Sequence, residues 1–223
     1  MTITFPRQFP AWFPGMQRCV FKPYRIQELD PTGSGDPLVR DLGPDLCDAD
    51  YRSGKLSPER MLELETWLET LENGGKTFWG YDFRRPLPLL YPNGFAGMSR
   101  AGGGSFDGTC TLENVTDNKV ISLSGLSNGF QFSIGDYLAF LYLSGSHAAL
   151  HRIVAPATAA SDGTVDVEVR THVRPGWAEE ATVNLVKPSC VMKLVPESYQ
   201  PDQQRRGRGQ ISFKSRQTLL VPA

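Results

Sequence analysis

Residues 56–88 read LSPERMLELETWLETLENGGKTFWGYDFRRPLP, and this stretch decides the fold class. It holds the one convincing helix pattern of the 223-residue chain, with a strand pattern directly behind it. Ser57 is placed to cap the helix, Pro58 to open its first turn, and Glu59 to face the positive end of its dipole. Leu56 and Met61 have the spacing of a hydrophobic staple. Met61, Leu64, Trp67, Leu68 and Leu71 recur at helical spacing on one face, while Glu63, Glu65, Glu69 and Glu72 occupy the rest. Asn73-Gly74-Gly75 supplies the left-handed backbone that ends a helix. From Lys76 to Phe83, Thr77, Trp79, Tyr81 and Phe83 alternate with Phe78, Gly80 and Asp82, which is the period of a strand. A helix laid across a β-sheet is the expected product, and it carries no catalytic chemistry of its own.

Upstream, Pro6, Pro10 and Pro14 punctuate a segment that also holds Phe5, Phe9, Trp12 and Phe13. Proline lacks the donor that a central strand needs, so this is an extended arm. Its rings require a surface to cover, either the chain's own core or a neighbouring subunit. Phe5, Phe9, Trp12 and Phe13 are therefore candidate subunit-interface residues. Gln17 to Leu29 reads as a strand and Asp30 to Gly35 as a turn. Leu38 to Leu42 and Leu46 to Tyr51 are short strands split by Gly43-Pro44.

Downstream, Tyr91 to Gly108 contains Pro92-Asn93-Gly94 and Gly102-Gly103-Gly104, the composition of a linker or long loop. Five or six short strands parted by turns follow between Cys110 and Val186. Their spacing suggests a small closed or nearly closed barrel whose length suits the oligonucleotide/oligosaccharide-binding (OB) type, although a sandwich has the same spacing. Gln210 to Val221 is a terminal strand that must pair with something, and the N-terminal sheet is the available host. The expected fold is mainly β: a β-sandwich or barrel with one helix (57–73), built from residues 1–92 and 189–223, with residues 93–188 inserted as an OB-like barrel.

A net charge of −1 gives no global electrostatic case for nucleic-acid or membrane binding. Residues 188–223 carry six basic and two acidic side chains, so the balance shifts to +4 at the C-terminal end. No apolar run reaches the length of a membrane span, and Met1 to Pro6 lacks the regions of a signal peptide. Cys19, Cys47, Cys110 and Cys190 are far apart and read as buried thiols of a protein folded in a reducing cytosol. His147 and His151 lack a third ligand, and Asp45, Asp48 and Asp50 lack the glycine and distal glutamate of a calcium loop. Neither a nucleophile elbow nor a phosphate loop is present. Arg205, Arg206 and Arg208 form a basic patch without the interleaved aromatics of a single-strand binder. The expectation is a protein without catalytic residues, metal or cofactor.

FPRQFPAWFPG at the start, then VRDLGPDLCDADYRSGKLSPERMLELETWLETLENGGKTFWGYDFRRPLPLLYP, resemble the N-terminal part of the distal tail protein family of long-tailed bacteriophages, which extends to prophages and gene transfer agents. The segments FSIGDYLAFLYLSGSHAALHRIV, VEVRTHVRPG, KPSCVMKLV and QISFKSRQTL are similar to the same family. The resemblance implies a virion structural protein, usually a ring of six subunits at the tip of the tail tube. The sheet-and-helix domain would form the ring and the barrel would face outward. Tube protein would bind on one side and hub or fibre proteins on the other, with a lumen through which DNA passes without specific binding. Assembly would take place in the host cytoplasm, with no membrane contact. A carbohydrate-binding module is the alternative, with Trp177 as candidate glycan-stacking residue beside Tyr137 and Tyr142. A hydrolytic tail component is a further rival, for which the sequence offers no motif.

Overall fold

The helix forms where its pattern places it. In the computed structural model, which describes residues 3–13, 18–31, 33–204 and 208–221, helix α1 spans Pro58–Glu69. Met61, Leu64, Trp67, Leu68 and the following Leu71 are all buried. Ser57 occupies the N-cap with extended backbone, but its hydroxyl makes no capping hydrogen bond. The α-helix ends at Glu69, short of the expected residue 73, and the chain turns left-handed at Glu72 (φ 49°), Asn73 (φ 49°) and Gly74 (φ 97°) in a short 3-10 turn behind it. A side chain at Gly74 would also meet the Leu194 carbonyl oxygen at 2.5 Å, so the stop is fixed by a neighbour as well as by conformation.

The strands are β1 (Arg18–Tyr24), β2 (Gln27–Pro31), β3 (Pro37–Asp41), β4 (Leu46–Arg52), β5 (Thr77–Gly80), β6 (Thr109–Thr116), β7 (Val120–Ser124), β8 (Gln131–Phe132), β9 (Tyr137–Tyr142), β10 (His147–Ile153), β11 (Ala157–Thr158), β12 (Val165–Arg170), β13 (Thr182–Asn184), β14 (Cys190–Leu194), β15 (Gln200–Gln204) and β16 (Arg208–Gln217). One sheet has the order β1-β4-β16-β14-β5, with β15 beside the first half of β16. The terminal strand β16 lies at its centre, paired with β4 from Ser212 to Arg216 and with β14 near Ser215. The sheet thus takes strands from both ends of the chain. Phe13, Tyr51, Phe78 and Phe213 meet the helix residues Met61, Leu64 and Trp67 in its core.

The middle of the chain closes on itself. Strands β10-β12-β7-β6-β13-β9 form a six-stranded barrel, one strand more than the five of an OB barrel. Leu112, Ile121, Leu123, Leu138, Val167, Val169 and Val183 fill it. The small pair β8–β11 brings Phe130 and Phe132 into the same core. Where the insert begins and ends, the Lys187 amide donates to the Pro86 carbonyl, joining the two crossings of the chain.

Of the linker or long loop expected at residues 91–108, the structure forms a long loop packed on the barrel. Phe95 and Phe106 are buried in the barrel core. The Arg100 guanidinium donates to the carbonyls of Thr109 and Gly125 and to the Asp107 carboxylate. Gly108 (φ 88°) sits so close to Phe95 and Val186 that a Cβ there would lie 2.5 Å from each. Barrel and sheet are also joined broadly. Tyr137, Ala139 and Leu150 of the barrel pack in the sheet's core cluster, and the Ala148 amide donates to the Leu219 carbonyl.

Candidate functional site

Three places carry the residues that the sequence singles out: the N-terminal arm, the barrel interior, and the junction of barrel and sheet. The arm lies along its own domain. The Arg7 amide donates to the Thr77 carbonyl and the Trp79 amide to the Arg7 carbonyl, so the arm covers the open edge of β5. Phe9 stacks on Phe13 at 4.7 Å and on Trp67 at 5.1 Å between ring centroids, and meets Phe78 and Phe83 edge-on. Phe13 is 1% exposed. The Trp67 indole donates to the Gln8 carbonyl at 2.9 Å. Trp12 donates to Glu63 with the Arg60 guanidinium over its ring, and Lys76 lies over Phe5. All four candidate interface residues are thus engaged with the chain's own helix and sheet.

The barrel interior holds His151, which is 1% exposed and stacked on Phe140. Its Nδ1–H donates to the Thr171 carbonyl at 2.8 Å, leaving Nε2 without a hydrogen-bond partner. Burial is the main cause that pushes its pKa down to about 4, with the Arg174 charge acting in the same direction, so the ring stays neutral at pH 7. His147, on the same strand, contacts Ser146 through Nδ1. Among the described residues no group of three or more His, Cys, Asp or Glu side chains is placed to hold a metal. Asp45 pairs with Arg25 at 3.1 Å and Asp48 with Arg216 at 2.9 Å, so these two carboxylates serve ion pairs. Burial raises the Cys19 and Cys110 thiols to about 12 and Cys47 to about 11, away from nucleophilic use. Arg205 and Arg206 lie outside the described residues; Arg208 opens β16 and is exposed. Trp177 is half-buried against the barrel core, and Tyr137 and Tyr142 are buried, so the three form no open platform for a sugar.

The junction shows what sequence reading missed. Strand β1 ends at Tyr24, and β2 pairs only with β3 in a separate ribbon. Every described residue of both strands is exposed. Leu29 (69% exposed) stands opposite Val39 (50%) on one face, and Leu38 (60%) lies on the other opposite Asp30. Residues 26–42 carry four acidic side chains and Arg40, a balance of −3. At the ribbon's base lies a cleft of about 300 Å³ between sheet and barrel, near the lower limit of sites that take small ligands. Phe21, Tyr137 and Leu150 give it an apolar floor, and Lys22, Arg25, Arg152 and Arg170 stand around it with Asp45 the one carboxylate, a balance of +3. Arg25 and Arg170 have carboxylate partners in Asp45 and Glu168, whereas Lys22 and Arg152 have none among the described residues. The ribbon had a signal: QELDP at 27–31 has too few apolar residues for a buried face. The cleft had none, because its cations come from segments 130 residues apart.

No family model matches the chain, and no curated protein matches it.

Proposed function

We propose that this protein is a structural component of a virion, a distal tail protein of a long-tailed bacteriophage or of a related prophage or gene transfer agent. In this reading six copies form a ring at the tip of the tail tube. The sheet-and-helix part builds the ring and the barrel faces outward. Tube protein binds above and hub or fibre proteins below, while DNA crosses the lumen without specific contacts. The observation that carries the reading is architectural: a sheet drawn from both ends of the chain, crossed by one helix, holds a closed barrel between its strands. That is the arrangement the sequence resemblance implies. Tyr137, Ala139 and Leu150 in the sheet's core cluster and the Ala148–Leu219 hydrogen bond tie the barrel to the sheet, which suits a part that transmits position rather than one that moves. The glycan-binding alternative gains no support from Trp177, whose ring faces the barrel core.

Negative-stain images of the purified full chain at micromolar concentration test the proposal. Uniform rings with a central opening are expected. Particles of monomer mass across the concentration range would overturn it.

A further inference from the structure

The ribbon and the cleft are complementary in both charge and polarity. From this we infer that β2–β3 of one copy seats the face bearing Glu28, Asp30 and Leu38 in the basic cleft of a second copy. The inference rests on the ring reading above and names the contact that builds the ring. The chain's own ribbon does not occupy the chain's own cleft. Arg25 lines the cleft, the ribbon starts at the next residue, and all its described residues remain exposed. An isolated two-stranded ribbon is marginal in water, and one with apolar side chains on both faces gains by being covered. Its five-residue strands reach about 17 Å from the base, enough to cross to a neighbour.

The charges are opposite in sign, −3 on residues 26–42 against +3 around the cleft. Glu28 and Asp30 share a face with Leu38, while Lys22 and Arg152 are the cleft cations without a carboxylate among the described residues. Each copy therefore offers one ribbon and one cleft, on adjoining parts of its surface. Such a contact is heterologous, and heterologous contacts close into rings when the rotation between copies permits.

Charge exchange in the full-length chain tests this. Glu28→Lys with Asp30→Lys, and separately Lys22→Glu with Arg152→Glu, should each raise the dissociation constant about 100-fold without lowering the melting temperature. All four substitutions in one chain should restore assembly. A photoactivatable phenylalanine analogue at position 38 should cross-link to residues 21–25 or 134–154 of a second copy. If the wild-type chain assembles but neither reversal weakens it, the inference fails while the ring reading stands. If the combined variant does not recover, or position 38 cross-links elsewhere or only to an added tail protein, the ribbon has another occupant and the inference is wrong. A wild-type chain that never assembles removes both.

Discussion

The N-terminal arm and the β2–β3 ribbon are both apolar segments outside the regular sheet, yet one is buried and the other is bare. The arm has its rings at positions 5, 9, 12 and 13 and turns at Pro10 to Phe13, and Phe9 and Phe13 find a groove beside Trp67 and Phe83. The ribbon has Leu29, Leu38 and Val39 on a two-stranded unit with no third layer to cover them. Apolar content says only that a surface is wanted. Whether the chain itself supplies that surface depends on what tertiary structure brings alongside. The aromatic arm is the louder signal in sequence, and the ribbon is the surface left open.

The largest expected effect lies in the arm. Phe13→Ala should cost about 3–5 kcal/mol of stability, because a fully buried ring is lost from a packed core. Urea unfolding followed by tryptophan fluorescence measures it; a loss under about 0.5 kcal/mol would mean the arm is not part of the core.

Acid should then separate interior from surface. The unfolded chain binds a proton at His151 near the ordinary histidine pKa of 6.5, the folded chain only near 4. Between those values the unfolded state holds more protons, so stability is complete above about pH 6.5 and falls as pH drops toward 4. The expected loss from this residue between pH 7 and 5 is about 2 kcal/mol. His151→Gln should flatten that part of the profile, and an unchanged slope would count against a neutral buried ring.

A smaller effect is expected where helix and arm are tied by one bond. Trp67→Phe keeps most of the stacking but removes the indole donor to the Gln8 carbonyl, for a loss of about 1–2 kcal/mol. Equal denaturation midpoints for the two proteins would show that the arm is held by its rings alone.

The helix and the joining of the C-terminal strand to the N-terminal sheet were legible because each was over-determined. Residues 57–75 combine a start, a period and a stop, and a lone alternating strand at 210–221 has to join the nearest sheet. The run Gly102-Gly103-Gly104 was less telling for the opposite reason. Glycine marks a turn, but Phe95, Arg100 and Phe106 around it decide whether the loop is anchored, and their contacts are made across the barrel. The expected strand from Gln17 to Leu29 divides at Arg25 because its partner divides. Pro44 has no donor to give, and Gly43 packs against Ile26, so β4 stays in the sheet while β3 leaves it. Of the candidate site, the four arm aromatics were singled out for a subunit interface but lie against the chain's own helix and sheet, and the ribbon was passed over as strand and turn.

Sedimentation velocity of the wild-type chain, Leu38→Lys and Trp12→Ala, at one concentration and salt, tests most directly where copies meet. Leu38 is 60% exposed, so Leu38→Lys should keep the wild-type stability within about 0.5 kcal/mol, whereas Trp12→Ala gives up its bond to Glu63 and its contact with Phe13 and should cost about 1–2 kcal/mol while remaining folded. Leu38→Lys is expected to sediment as a monomer, and Trp12→Ala as the wild-type assembly. Dispersal by Trp12→Ala with an intact Leu38→Lys assembly would place the contact on the arm and contradict the ribbon contact.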